Sequence, residues 1–408
     1  MNIHIISMNK LIEIKSKKKI NLSSKKYKYL LQFLPKSLEE ISHTKLTKDK
    51  LKTAYLIDII HNLLLKYYFK KENSFNLSSV ILKDKYGYKY NYYINFLLEK
   101  EFIFLVRNHQ KGKNSRVYKL NENIINNDII RYKNRDTILL KKYTNYLSID
   151  NTNYNSILPN VKSKLISDLY SVKIDYAKSI FFLDSTMQNV DIYNKNRYSV
   201  DCIMENHIFY HFDDYGRIHT NFTILKSFIR KNCLLIDGDE TFEKDIVNSQ
   251  PLFLCKLIND NDVLIVNDKE FNLFKRLTIS GNFYQYIMDN CNYNDKKMAK
   301  EMVYKVFFGK NYSNNKHDVN FKYLFPTIYS FIRAYKKEMK DYRSLAYYLQ
   351  REESNFVFNK VIKTILNLYP EVKLITVHDS IICANKYKDI LEIIFNQKMK
   401  EEFHFIYS

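Results

Sequence analysis

The sequence predicts an α+β protein, because helical and strand patterns both recur along its 408 residues. Apolar residues follow a helical period in LKTAYLIDIIHNLLLKYYF, which starts at Leu51. Short apolar runs on either side of a turn predict β-hairpins in FIFLVRNHQKGKNSRVYKL and LITVHDSIICA. Because 46% of the residues are apolar, the chain can bury a large core, and its length predicts two or three domains.

The net charge of +21 is spread along the chain and favours a polyanionic partner. Nucleic acid is the leading candidate; an anionic membrane surface, or charge that serves solubility alone, is the alternative. The 35 tyrosines and 27 phenylalanines accompany abundant Lys, Asn and Ile. This composition is typical of an AT-rich genome, so aromatic content alone does not indicate base stacking.

The cysteines and the apolar runs exclude several classes of protein. The five cysteines form no CxxC pair and show no close spacing to histidines, which argues against a zinc site or a disulfide framework. No apolar run approaches the ~18 residues of a membrane span, and the N-terminus lacks a signal-peptide pattern. We therefore expect a soluble, cytoplasmic protein with no membrane partner.

Residues 1–50 are rich in Lys and Ser and are predicted to form a basic arm with a short helix. Residues 51–121 predict three helices followed by a two-stranded hairpin. Ser78 or Ser79 is suited to cap the second helix, and Gly87 to end it. The third helix is expected to bury three residues on one face: Ile94, Leu97 and Leu98.

This order of elements resembles a winged helix-turn-helix domain. In such domains the third helix enters the major groove of DNA and the hairpin contacts the backbone. The resemblance implies that four residues at the start of the third helix face DNA: Lys89, Tyr90, Asn91 and Tyr93. It also implies three phosphate contacts from the hairpin: Lys111, Lys113 and Arg116. A module used for protein contacts or packing is the alternative.

Beyond residue 121, the Asn-rich segment 122–136 is predicted to be a linker to a further part of the chain, residues 137–408. A long helix is expected after Pro159, and β structure before Gly216. The stretch CLLIDGDETFEKDIVNSQPLFLCKLI predicts strand, turn, strand and a helix that begins near Pro251.

Asp379 lies at the tip of the LITVHDSIICA hairpin, next to His378 and between two apolar strands. A carboxylate held by rigid strands suits a magnesium ligand, because Mg²⁺ requires oxygen ligands in near-octahedral geometry. A second acid is needed, and Asp245 is the candidate, where a strand ends and a helix begins with Ser249 as its expected cap. An ordinary turn aspartate is the alternative.

Between these acids, DKKMAKEMVYKVFFGKN predicts a helix with four notable side chains on one face. Lys296, Lys300, Tyr304 and Phe308 recur at every fourth position, and Gly309 follows. Two ammonium groups followed by two rings suit a nucleoside triphosphate, with cations at the phosphates and rings at the sugar and base. A solvated lysine face is the alternative.

In this order the motifs resemble those of the family A DNA polymerases and the related phage-type single-subunit RNA polymerases. Asp245, Ser249 and Gln250 resemble the palm-strand motif. The fingers-helix motif is matched, with Lys where Arg is usual, by Lys296, Lys300, Phe308 and Gly309. The residues HDS at 378–380 match the palm-hairpin motif in the form typical of the RNA polymerases, and GRIHTN at 216–221 is similar to the segment before the first palm motif.

The resemblance covers roughly residues 200–390 and implies a right-hand polymerase fold. Its palm, an antiparallel sheet, and its helical fingers would span residues 200–408, with a reduced thumb over residues 157–200. Two Mg²⁺ ions, or alternatively Mn²⁺, would be held by Asp245, Asp379 and the backbone carbonyl of Ile246.

The resemblance also implies roles for the surrounding side chains. Lys300 would neutralise the β- and γ-phosphates and protonate pyrophosphate, and Lys296 would assist it. Tyr304 and Phe308 would pack on the nascent base pair, next to Gly309. Two residues would contact the primer-template: Arg217 and His378. For His378, packing within the hairpin is the alternative.

The implied function is DNA-directed DNA synthesis for a phage, plasmid or mobile element, with DNA and nucleoside triphosphates as partners. Leu252 stands where the DNA polymerases carry the glutamate that excludes ribonucleotides, and two extra residues separate Asp245 from Ser249. A small RNA polymerase or primase is therefore one alternative, and a non-catalytic replication initiator or regulator is another. In LQREESNFVFNKVI, which is similar to a template-side helix, Glu353 and Ser354 are either functional or a surface pair.

Overall fold

The computed structural model describes residues 27–39, 52–70, 73–110, 115–125, 128–147, 157–261, 266–311 and 315–407. Within them the fold is α+β, as the sequence predicts, with many helices and small antiparallel sheets. The chain divides into two compact units. Unit 1 comprises Met1–Asn151, Tyr170–His211 and His219–Glu240, and unit 2 comprises Thr152–Leu169, Phe212–Ile218 and Thr241–Ser408. No described helix is long and apolar enough to cross a membrane.

The helices and hairpin predicted for residues 51–121 are confirmed, and the structure adds a strand between the first two helices. Up to residue 147 the elements are β1 (Leu30–Pro35), α1 (Thr53–Lys70), β2 (Ser74–Leu77), α2 (Ser79–Tyr86), α3 (Tyr90–Glu99), β3 (Ile103–Arg107), β4 (Arg116–Leu120), α4 (Glu122–Ile125), β5 (Ile129–Asn134) and α5 (Thr137–Leu147). β4 pairs with both β2 and β3, and Gly87, at φ +81°, ends α2. The core contains the predicted apolar face of α1: Leu56, Ile59, Ile60, Leu63 and Leu64.

The prediction that residues 122–136 are only a linker is wrong in part, because they contain a paired strand. β5 pairs antiparallel with β1 along six residues, from Ile129 opposite Pro35 to Asn134 opposite Leu30. Asn134 is fully buried and donates to Gln32 at 2.8 Å, so a polar residue is satisfied inside the fold. Residues 30–35, predicted as part of a basic arm, are therefore a buried strand; residues 1–26 and 40–50 lie outside the described residues.

The long helix expected after Pro159 is also wrong, because a short strand divides it. Residues 157–240 form α6 (Pro159–Leu169), β6 (Val172–Ile174), α7 (Tyr176–Thr186), α8 (Val190–Met204), β7 (Tyr210–Phe212), β8 (Ile218–Thr220), α9 (Asn221–Ile224), α10 (Ser227–Cys233) and β9 (Leu234–Ile236). β6 pairs with β9, and the Asp175 side chain caps α7 by accepting from the Lys178 backbone N–H. Pairing with a distant strand therefore overrides the local helical pattern.

Together with β9, the remaining elements confirm the predicted strand, turn, strand and helix before residue 260. They also confirm the C-terminal hairpin. They are β10 (Asp239–Lys244), α11 (Ser249–Asp260), α12 (Asp268–Ile279), α13 (Phe283–Cys291), α14 (Lys296–Phe308), α15 (Lys316–Leu324), α16 (Pro326–Glu338), α17 (Ser344–Asn355), a π-helical segment (Phe356–Ile362), α18 (Lys363–Leu368), β11 (Ile375–Val377), β12 (Ser380–Ala384), α19 (Lys388–Glu402) and α20 (His404–Tyr407). In unit 2, residues 241–244 of β10 pair with β12, which pairs with β11.

A buried histidine should make unit 1 sensitive to mild acid. The ring of His207 packs against the rings of Tyr27 and Tyr29, with centres 5.0 and 4.9 Å away, and burial lowers its pKa from 6.5 to about 4. Between pH 6.5 and 4 the unfolded chain binds a proton that the folded chain does not, so stability falls as pH falls. We expect His207→Phe to reduce this loss by on the order of 2 kcal/mol, measured by urea unfolding at pH 7 and pH 4.5. The expectation is contradicted if His207→Phe loses as much unfolding free energy between pH 7 and pH 4.5 as the unaltered chain does.

Candidate active site

The structure brings Asp245 and Asp379 to the same edge of a sheet in unit 2. Lys244, the last residue of β10, pairs with Ile381, so Asp245 follows beside the turn between β11 and β12. Asp379 lies in that turn with His378, which adopts a left-handed φ of +58°. Non-glycine residues at such angles are uncommon and are often found at functional sites.

The environment of Asp379 is that of a carboxylate in need of a cation. Asp379 is partly buried and Asp245 is exposed. Burial, together with the negative charges of Glu353 and Asp245, raises the pKa of Asp379 to about 7 against the opposing effect of Arg217. A bound divalent cation would relieve this repulsion.

The residues present fit a magnesium ion that is completed by other ligands. The described residues contain no cluster of three or more His, Cys, Asp or Glu side chains that could hold a metal. The chain offers two carboxylates and the backbone carbonyl of Ile246. Ile246 follows Asp245 in the sequence, and its side chain is buried. Magnesium commonly keeps several waters and binds through one or two carboxylates together with substrate phosphates, so two acids are a sufficient protein contribution.

Glu353 organises the polar groups around this site. Its carboxylate is 2% exposed, forms an ion pair with Arg217, and accepts from the Ser249 hydroxyl and the Gln250 amide, both at 2.6 Å. Burial disfavours the charge of Arg217, but Glu353 outweighs it and keeps the pKa of Arg217 above its usual value. Ser249 is therefore not the helix cap expected from the sequence; Asn248, at φ +52°, precedes α11 as its N-cap.

The predicted stripe on α14 is present. The ammonium groups of Lys296 and Lys300 lie 5.9 and 5.7 Å from the ring centre of Tyr284, and both lysines are exposed. The rings of Tyr304 and Phe308 are stacked, 5.5 Å apart and 14° from parallel. Burial raises the pKa of Tyr304, and the charges of Asp379 and Glu353 raise it further, so the stripe lies within electrostatic reach of the acids.

The end of α14 explains why Gly309 follows the stripe. A Cβ atom on Gly309 would lie 2.2 Å from the Lys305 carbonyl oxygen, which accepts from the Gly309 N–H. Lys336 is 2% exposed and donates to the carbonyls of Val306 and Gly309 at 2.7 and 2.9 Å. Both interactions hold the last turn of the helix in one position.

We expect Gly309→Ala to shift the end of α14 and to displace Phe308. The backbone contact cannot be relieved by a side-chain rotation, so we expect a loss of about 1–3 kcal/mol in the free energy of unfolding. Urea unfolding followed by circular dichroism measures this loss. Lys310→Ala, at the exposed neighbouring position, is the matched control and should change stability by less than about 0.5 kcal/mol. Equal stability of the two variants would refute the structural role of Gly309.

The residues expected to face DNA lie in unit 1, and one expectation is wrong. Lys89 and Asn91 are exposed at the start of α3, Arg116 is exposed at the start of β4, and Tyr90 is partly exposed. Tyr93 is 3% exposed and its hydroxyl accepts from the Lys52 backbone, because it shares the buried face of α3 with Ile94 and Leu97. Lys111 and Lys113 lie outside the described residues.

Sequence reasoning underrated Glu353 and missed Tyr284 and Lys336. Glu353 and Ser354, considered as a surface pair, are both 2% exposed, so that alternative is wrong. The sequence does indicate that Glu353 is buried, because Leu345, Leu349 and Glu353 recur at every fourth position on one face of α17. Arg217, expected to bind nucleic acid, has its guanidinium on Glu353 in this structure.

No known protein-family model matches the chain, and a search of curated proteins finds no significant match.

Proposed function

We propose that the chain is a nucleic-acid polymerase of the family A type that extends a primer by two-metal-ion nucleotidyl transfer. The observation that carries the proposal is the position of Asp245 and Asp379 at one sheet edge, with Tyr304 of the α14 stripe within electrostatic reach of Asp379. Two magnesium ions, held by these acids and the Ile246 carbonyl, would supply activation of the primer hydroxyl and charge neutralisation at the triphosphate.

The side chains on α14 perform the remaining steps of this mechanism. Lys296 and Lys300 bind the triphosphate, and Lys300 gives a proton to the departing pyrophosphate. Tyr304 and Phe308 present stacked rings to the base pair being formed. His378 contacts the primer-template beside Asp379, and Arg217, held by Glu353, contributes positive charge there.

The finer fold assignment is part of the proposal. The β10–β12–β11 arrangement corresponds to a palm, α14 to the fingers, and residues 157–200 to a reduced thumb. In unit 1, the order helix, strand, helix, helix, strand, strand, with β4 between β2 and β3, supports a winged helix-turn-helix that recruits the enzyme to duplex DNA.

The direct test is primer extension by the purified full chain with magnesium. Labelled deoxyribonucleotides and ribonucleotides are supplied separately, with and without a template strand, and the products are resolved by length. Template-dependent extension that EDTA stops is expected. Position 252 is a buried leucine, 3% exposed, and therefore carries no carboxylate that could exclude a ribose. The comparison of the two nucleotide types shows whether the product is DNA or RNA. Absence of extension with either type would remove the proposal.

We expect Lys89→Ala/Asn91→Ala to weaken duplex binding by about tenfold and to flatten its salt dependence by roughly one phosphate contact. Fluorescence anisotropy at several salt concentrations measures both effects. Lys388→Ala/Asn385→Ala, which removes the same groups from unit 2, is the control and should bind duplex as the unaltered chain does. Identical binding by the two double variants would favour a protein-contact role for the N-terminal module.

A further inference from the structure

A cleft in unit 1 is independent of the proposed catalytic residues. It lies among the β1–β5 pair, the second half of α1 and the part of α8 from Val190 to Asp201, with a volume of about 770 Å³. Clefts of roughly 300–1,000 Å³ commonly bind small molecules, so its size suits a ligand as large as a mononucleotide.

One end of the cleft carries two guanidinium groups supported by a buried carboxylate. Arg131 and Arg197 both pair with Asp201, at 3.3 and 3.1 Å, and the Asp201 side chain is 1% exposed. The side chains of Arg131 and Arg197 are 42% and 28% exposed. Lys36 and Asp128 also line the cleft, so three positive side chains stand against two negative ones, and a net positive charge remains with N–H groups available to an anion.

The two guanidinium groups are also positioned by an aromatic ring. Arg197 donates to the Tyr176 hydroxyl at 2.7 Å, and the guanidinium carbons of Arg197 and Arg131 lie 5.6 and 5.9 Å from the Tyr176 ring centre. These contacts restrict the conformations of both arginine side chains, so a ligand loses less binding free energy to ordering them.

Aromatic and apolar side chains form part of the walls of the cleft, beside polar ones such as Gln188 and Asn194. Tyr68, Phe69, Tyr193 and Tyr198 line it, together with the exposed Val190. Rings of this kind bind the flat faces of heterocycles, while the arginines bind phosphate or carboxylate groups. A wholly apolar ligand would make no use of the N–H groups that Arg131 and Arg197 have beyond their bonds to Asp201 and Tyr176.

We propose that this cleft binds a free, phosphate-bearing aromatic metabolite of nucleotide size, without a metal ion. The phosphate lies at Arg131 and Arg197, and the heterocycle packs against the tyrosines. A ligand here stabilises unit 1 by mass action.

The test is calorimetric titration of the full chain with adenosine 5′-diphosphate in EDTA, where the proposed two-metal site lacks its ions. Saturable binding is expected, with adenosine binding at least about tenfold more weakly because it lacks the phosphates. Val190→Trp should weaken binding at least about tenfold by filling the cleft, without touching the ion pairs. Arg197→Met should do the same by removing the anion contact, and Val190→Trp carries the test if Arg197→Met fails to fold.

Lys300→Ala distinguishes this site from the substrate site on α14. Its affinity for the diphosphate should equal that of the unaltered chain, and a loss equal to that of Val190→Trp would overturn the proposal. No binding at about 1 mM, or equal binding by the unaltered chain and Val190→Trp, would overturn it too. If a single-stranded oligonucleotide competes with the diphosphate for the cleft, the ligand of the cleft is a nucleic-acid strand and the proposal of a free metabolite is overturned. Primer extension by Val190→Trp at the unaltered rate would leave the proposed function standing whichever result is found.

Discussion

Asp379→Asn is expected to reduce nucleotide incorporation by more than about 10³-fold, because it removes one of the two carboxylates that would hold the metal ions in the proposed mechanism. Steady-state primer extension with magnesium measures the loss. Duplex binding should be unchanged, because the exposed residues of α3 are untouched. Asp289→Asn, which removes an exposed carboxylate from α13, is the matched control and should extend primers at the unaltered rate.

The same substitution should stabilise the metal-free protein. Since the pKa of Asp379 is raised to about 7, the folded chain binds more protons than the unfolded chain between pH 4 and 7, and stability is lost as pH rises through that interval. At pH 8 we expect Asp379→Asn to be more stable by on the order of 1–2 kcal/mol, measured by urea unfolding in EDTA. Magnesium should stabilise the unaltered chain more than the variant. A variant that is less stable and still extends primers would assign Asp379 a structural role.

Glu353→Leu is expected to give the largest loss of stability in unit 2, about 3–5 kcal/mol, because it leaves the Arg217 charge without its partner. It also removes the acceptor of the Ser249 and Gln250 side chains. The free energy of urea unfolding measures the loss. Arg217→Leu/Glu353→Leu removes both charges and should recover most of it.

The neighbouring carboxylate provides the control for this prediction. Glu352 pairs with Lys256 at 3.2 Å and its side chain is 25% exposed, so Glu352→Leu should cost less than about 1 kcal/mol. If Glu353→Leu and Glu352→Leu are equally stable, the buried network does not support α17 and the first turn of α11.

Local periodicity predicted the parts of this protein that depend on residues close in sequence. The stripe from Lys296 to Phe308, the turn at His378 and Asp379, and the end of α2 at Gly87 all follow from the geometry of one helix or one hairpin. Tyr93 was misjudged because it was placed by analogy with a recognition helix, although it lies on the buried face marked by Ile94 and Leu97.

Pairing between distant segments accounts for the expectations that were wrong. The β1–β5 pair joins two segments that are polar or basic in composition, and buried Asn134 is satisfied by Gln32 rather than by solvent. β6 interrupts a helical pattern because it pairs with β9. The strand β9 follows from its local sequence, but its pairing with β6 does not, because that pairing joins segments far apart in the chain.

By itself the sequence determined helices such as α1, α3 and α14, two hairpins and the residue types at the candidate site, because side-chain periodicity depends on the helix and strand repeats alone. Only the tertiary structure decided that Asp245 lies beside the Asp379 turn and that Glu353 is a buried partner of Arg217. The physical reason is that strand register and burial depend on contacts between segments far apart in the chain. The groups that pack around a carboxylate decide whether it is solvated, paired or bound to a metal ion.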